Sequence, residues 1–177
     1  AHARHSAYYL ATLAEIQRKL EGGAQVETLH AIDSDMENVR AAWMFAASQG
    51  DLAALERALP TMSLYFQLRG QYAEGLAFYE QTITKLQARA SGVERDAVLG
   101  HVAARAAELA VALHQAEAAT ALLSISRSLT GESSGTTRAA FEFAQGFEHL
   151  TLRAVADGRP HFEQAAQIYR EAGERWA

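Results

Sequence analysis

The chain has 177 residues, 49% of them hydrophobic, and a formal charge of −5. That length and apolar content suit one domain, or a slice of a repeat array, with a continuous core. The mild acidity provides no clustered Lys and Arg for phosphate contacts, which excludes a nucleic-acid partner, and the absence of cysteine excludes disulfides and thiolate metal sites.

No apolar run approaches the roughly 18–20 residues of a membrane span, so no membrane partner is expected. Ala1 to His5 lacks the apolar stretch of a secretion signal. A soluble, cytoplasmic chain is the expectation, with abrupt ends that read as a cut from something longer. Alanine dominates, with 38 residues against 2 prolines. Alanine loses no side-chain entropy in a helix and lets two helices approach closely, so tightly paired helices are predicted.

Eight segments carry apolar residues at steps of three and four, the spacing of one helix face. The first holds Tyr9, Leu13, Ile16 and Leu20 and stops at Gly22-Gly23. The second holds Leu29, Ile32, Met36, Val39 and Trp43 and ends at Gly50, as one continuous helix. Within it Ser34 and Glu37 have the spacing of a capping box. The third opens on Asp51, a good N-cap, and runs through Leu55, Leu59, Met62 and Phe66 to Gly70. Pro60 falls inside it and is expected to bend it. The fourth carries Tyr72, Leu76, Tyr79, Ile83 and Leu86, ahead of a break at Ser91-Gly92.

The fifth helix is predicted through Val98, Val102, Ala106, Leu109 and Leu113, and the sixth through Ala118, Leu122, Ile125 and Leu129. Thr130 to Thr137, rich in Gly, Ser and Thr, reads as a flexible loop. Phe143, Phe147, Leu150 and Ala154 mark the seventh helix, followed by a turn at Asp157-Gly158-Arg159-Pro160. Pro160 then suits the first turn of the eighth helix, with Phe162, Ala165, Tyr169 and Ala172, which Gly173 ends. Glu174 to Ala177 reads as the opening of a further helix. With no period-2 segment, the chain is all-α.

A helical-hairpin signature returns along the chain. Its best copy is Gly70-Gln71-Tyr72, Gly75, Tyr79 and Thr82; weaker copies carry Ala118, Leu122 and Ile125, then Pro160, Ala165, Tyr169 and Ala172. The copies are 43 and 47 residues apart, counted from Gly75 to Ala118 and on to Ala165. A standard tetratricopeptide unit is about 34 residues, and HEAT pairs share the longer period. The Tyr72 and Tyr79 pattern is nevertheless that of a tetratricopeptide second helix. The expected architecture is a right-handed α–α superhelix of about four helix pairs.

Two stretches, 29–50 and 64–83, carry a family resemblance. Asn38 to Trp43 (NVRAAW) is followed by Gly50-Asp51, then an aromatic helix ending in Arg69-Gly70, then Glu74-Gly75. That order resembles the helical region after the nucleotide-binding and winged-helix modules of bacterial STAND proteins, signal-transduction ATPases with numerous domains. These include transcriptional regulators with a tetratricopeptide-like sensor and relatives of NLR immune receptors. Residues 4–14 are similar to the helix joining the winged-helix part to the repeats. The resemblance implies that 1–90 holds the linker helix and first hairpins, and that 91–177 holds further hairpins of an array truncated at its C-terminus. The chain lacks a Gly-x-x-x-x-Gly-Lys-Ser/Thr motif, so any ATPase chemistry lies outside it. The implied job is a non-catalytic sensor and protein-interaction domain, needing no cofactor. Its partners would be a protein, peptide or small inducer, together with the parent's nucleotide-binding module. The alternative is a structural spacer or self-association module with no ligand of its own.

In tetratricopeptide arrays the first helix of each pair lines the groove. Counting back from the second-helix signatures puts Arg57, Leu64, Gln67, His101, Ala104, Glu108, Phe147, Leu150 and Ala154 there. These are mixed polar and apolar residues, as shape-based peptide recognition needs. Other candidates read as structural. His2 and His5 lack a third metal ligand, and His101, His114, His149 and His161 are scattered through the sequence. Asp33, Asp35 and Glu37 read as a solvated charge run, with Asp33 and Glu37 on one face and no nucleophile beside them. Ser124, Ser126 and Ser128 lack a nucleophile elbow. The aromatic pairs Tyr8-Tyr9, Tyr65-Phe66 and Phe141-Phe143 fit core and hairpin seams. Asn38 is read as satisfying a neighbouring backbone group and Arg40 as pairing with Glu37 or Glu56, with ligand contact the alternative.

Overall fold

The structure is a computed structural model that describes residues 2–130, 135–153 and 155–172. Among these residues it is all-helical: α1 (His2–Leu20), α2 (Gln25–Gln49), α3 (Leu52–Arg69), α4 (Tyr72–Gln87), α5 (Val93–Ala112), α6 (Ala116–Thr130), α7 (Thr136–Glu148) and α8 (Val155–Glu171), with a π-helical turn, His149–Arg153, between the last two. None of the described helices is long and apolar enough to cross a membrane. Two compact units divide the chain, one of Ala1–Gln71 with Thr84–Arg89 and the other of Tyr72–Ile83 with Ala90–Ala177.

In the first unit α1 packs against both α2 and α3. Leu10, Leu13, Trp43, Leu55, Met62 and Phe66 are all within 2% of full burial and form the seam. Two buried hydroxyls tie the helices across that seam. Ser6 Oγ donates to the Ala42 carbonyl at 2.8 Å, and Thr61 Oγ1 donates to the Leu13 carbonyl at 2.7 Å. Each side chain thereby satisfies its own polar atom inside an apolar core, where an unsatisfied one would be costly.

Helix ends follow local chemistry. Gly50 and Gly70 adopt the left-handed conformation, φ 75° and 65°, at the C-termini of α2 and α3. In each case the N–H of the next residue closes the motif, Asp51 onto the Ala46 carbonyl and Gln71 onto the Phe66 carbonyl. Asp51 caps α3 by accepting from the Ala54 N–H at 3.3 Å. Pro60 sits inside α3, which continues on both sides of it. Ser34 does not cap anything. Because α2 has already started at Gln25, Ser34 Oγ folds back onto the His30 carbonyl at 2.9 Å.

In the second unit α5 packs against α6 and α7, and α7 against α6 and α8. Ala103, Ala106, Ala107 and Ala110 are fully buried along α5. They permit the close approach that the alanine content predicts. The expected turn at 157–160 is overturned, since Asp157 to Pro160 lie inside α8. The change of direction falls before them, around the π-helical turn, and Gly158 has a different use. A Cβ on Gly158 would lie 2.6 Å from the Gly146 carbonyl oxygen, so this glycine lets α8 come against the backbone of α7. Pro160 therefore lies beyond the first turn of its helix. Of the predicted 130–137 loop, Thr130 belongs to α6 and Thr136 and Thr137 to α7, while 131–134 lie outside the described residues. The predicted helix end at Gly173 and the further helix at 174–177 also lie outside them.

Candidate functional site

The predicted groove residues separate by burial. On α3, Arg57 and Gln67 are exposed and Leu64 is half-buried; after α7, Leu150 is exposed, and Phe147 is half-buried. His101 and Glu108 differ from expectation, being 3% and 2% exposed, and Ala104 is fully buried. The reason is that α5 carries apolar residues all round and is covered by α6 and α7. Ala154 lies outside the described residues.

Glu108 belongs to a buried ion pair rather than a surface. Arg105 Nη1 donates to Glu108 Oε1 at 2.9 Å, and Arg105 Nη2 donates to the Tyr169 hydroxyl at 2.9 Å, which ties α5 to α8. Burial is the largest influence on Arg105 and opposes its charge, but Glu108, through its charge and hydrogen bond, together with Tyr169 and Tyr79, holds the guanidinium above its ordinary value. Burial pushes the Glu108 carboxyl up, with the Arg105 charge acting in the opposite direction. The cost of burying the pair is offset by its mutual contact, and the bond from Arg105 to Tyr169 stitches α5 to α8.

Two histidines that look scattered in sequence come together. His161 Nδ1 lies 2.7 Å from Glu142 Oε2, His149 Nε2 lies 3.6 Å from Glu148 Oε2, and the two rings stand edge to face with centroids 5.1 Å apart. Arg138 Nε donates to Glu142 at 2.7 Å from the other side. No group of three or more His, Cys, Asp or Glu among the described residues is arranged to hold a metal ion. The cluster joins α7, the π-helical turn and α8.

The acidic run on α2 is split by its partners. Asp33 receives Arg69, through both Nε and Nη2, and also the Tyr65 hydroxyl at 2.8 Å, and so joins α2 to α3. Asp35 faces the other way, toward α1. Its Oδ1 accepts from the Tyr9 hydroxyl and from Asn38 Nδ2, each at 3.3 Å. Asn38 therefore serves a side chain rather than the backbone group expected of it.

Asp35 stands at one end of a trough of about 400 Å³ between α1 and α2. The two helices are antiparallel, as the Ser6–Ala42 and Tyr9–Asp35 bonds show. Leu13, Ile16 and Ile32 line the middle of the trough, Lys19 and Glu27 its far end, and Tyr8 and Tyr9 the wall near Asp35. Tyr8 is 66% exposed and meets Tyr9 edge to face at 5.1 Å, so this aromatic pair is a surface feature and not the core seam predicted. Desolvation, followed by the charge of Asp35, raises the Tyr9 hydroxyl above its ordinary pKa and keeps it a donor. The volume is in the range of small-molecule sites, and an apolar floor with a few polar groups is their usual composition. The sequence signal was present in Tyr8, Tyr9 and Asp35, but nothing in their spacing joins residues from two helices. No protein-family profile, curated protein or solved structure matches the chain.

Proposed function

We propose that this chain is a non-catalytic ligand-sensing and protein-interaction repeat domain, the sensor arm of a larger STAND-type signalling ATPase or transcriptional regulator. Its helix pairs follow a right-handed, tetratricopeptide-like superhelical order. One observation carries the reading. In each unit a helix packs on its hairpin partner and also on the first helix of the next pair, α1 on α2 and α3, and α5 on α6 and α7. That packing order is how stacked helix pairs share a core while leaving continuous faces open. Arg57 and Gln67 in the first unit and Leu150 in the second are exposed, which is compatible with a place on such a face. The family resemblance of 29–50 and 64–83 supplies the sensor role.

A sensor of this kind acts by binding one state of its parent better than another, and its leverage equals that difference in affinity. Selection of displayed peptides against the full chain, with a thermal-shift screen of small molecules beside it, tests the reading. Recovered ligands should share a pattern, raise the melting temperature, and lose affinity with Arg57→Ala and Gln67→Ala or with changes around the α1–α2 trough. A chain that selects nothing, is stabilised by nothing, and self-associates in sedimentation is a spacer instead.

A further inference from the structure

We propose that the α1–α2 trough is a binding site for an amphiphilic organic cation, an ammonium group carried on an apolar or aromatic body. This rests on the sensing role above and names its ligand class. Four observations converge on it. The trough is large enough for a small molecule and has an apolar floor of Leu13, Ile16 and Ile32. Its negative end is an exposed carboxylate, Asp35, with no cation bonded to it among the described residues. Asp33 is neutralised by Arg69, whereas the partners of Asp35 are a phenol and an amide, neither of them a cation. Both of those donors reach Oδ1, which leaves Oδ2 without a hydrogen-bond partner among the described residues. Finally, Tyr8 and Tyr9 wall the same end, and Tyr8 is exposed.

A carboxylate beside aromatic faces is the chemistry that selects a cation, by charge-assisted hydrogen bonding on one side and ring quadrupoles on the other. The apolar floor then takes the body of the molecule. An anionic ligand would meet two carboxylates, Asp35 and Glu27, against the single lysine, Lys19. A neutral apolar ligand would leave the charge of Asp35 partly desolvated without return. The site thus discriminates by charge at one end and by shape along its length.

The probes are 4-phenylbutylamine and its neutral counterpart 4-phenylbutanol, titrated into the full chain and followed by backbone amide shifts. The amine should move amides of α1 and α2 and bind about tenfold more tightly than the alcohol, the margin of one charge-assisted contact. Asp35→Asn keeps an acceptor for Tyr9 and should remove most of that margin, while leaving alcohol binding unchanged. Glu27→Gln, at the other end, should leave the amine in place. Equal binding of amine and alcohol, full amine affinity in a folded Asp35→Asn variant, or shifts confined to other helices would overturn the proposal. If neither probe binds but selected peptides do, the cation site is refuted and the sensing role stands. If probes and peptides both fail, the sensing role falls as well.

Discussion

The guanidinium of Arg89 fills the space in which a β-carbon on Gly50 would stand. A Cβ built there lies 2.5 Å from Arg89 Cζ and Nη2. From that position Arg89 Nη1 donates to the Ser48 carbonyl at 2.7 Å, satisfying one of the open carbonyls at the end of α2. Gly50 therefore meets two requirements, a left-handed backbone and room for a cation at a helix C-terminus.

Gly70 separates those requirements, because it is also left-handed but has nothing within 4 Å of its missing Cβ. Gly70→Ala should cost about 1 kcal/mol, the backbone term alone. Gly50→Ala should cost about 2 kcal/mol, because it also displaces the Arg89 hydrogen bond. In an Arg89→Ala background the cost of Gly50→Ala should drop to that of Gly70→Ala. Urea unfolding of the four variants measures the coupling, and an unchanged Gly50→Ala penalty would show that Arg89 is not placed there.

The glycine-bound helix ends were legible in the sequence because they depend on residues within one turn: Asp51 caps, and Gly50 and Gly70 stop. Asp157-Gly158-Arg159-Pro160 has the same local signature as a turn and misleads for a tertiary reason. Its glycine is used for the approach of α8 to the Gly146 carbonyl, a contact that no local pattern encodes. The candidate site was hidden in the same way. Asp35 is exposed, as a solvated charge run predicts, but its contact with Tyr9, 26 residues away, has no local signature. His149 and His161 look unrelated until the π-helical turn and α8 bring their rings together.

Gly158→Ala should accordingly destabilise the second unit by about 1–3 kcal/mol, as overpacking against backbone does. The obstacle is the Gly146 carbonyl oxygen and the Leu150 N–H nitrogen, at 2.6 and 3.3 Å from the new Cβ. Neither can swing aside as a side chain would. Equilibrium denaturation measures the loss, and a neutral Gly158→Ala would mean that α7 and α8 lie farther apart.

Arg105→Met removes one member of a buried pair and takes the guanidinium away from Glu108, which is 2% exposed. At neutral pH the expected loss is about 3–5 kcal/mol. The pH dependence has a definite sign. Burial already raises the folded-state Glu108 carboxyl. Its contribution to stability is therefore fully present below the ordinary carboxylate range, about pH 4.3, and is lost as pH rises through the folded value. Without Arg105 that loss steepens, so Arg105→Met should be closest to wild type at low pH and farthest from it at pH 8. Unfolding curves at pH 5 and pH 8 check this, and a penalty that grows toward low pH would reverse the assignment.

Thr61→Val tests the tie between α3 and α1. Thr61 Oγ1 is its only polar side-chain atom, and the Leu13 carbonyl it reaches is buried. Loss of that bond in a shape-matched variant should cost about 1 kcal/mol. A shift in urea midpoint with an unchanged slope is the expected signature.

The claim that this chain works by holding a partner, without altering it, is tested most directly by NMR on one mixture. A selected peptide or 4-phenylbutylamine is added to labelled chain, and both spectra are followed for hours. Amide shifts should be confined to exposed helix faces or to the α1–α2 trough, and the ligand should be recovered chemically unchanged on dilution. Conversion of the ligand to a product, or saturation without any shift on those faces, would contradict it.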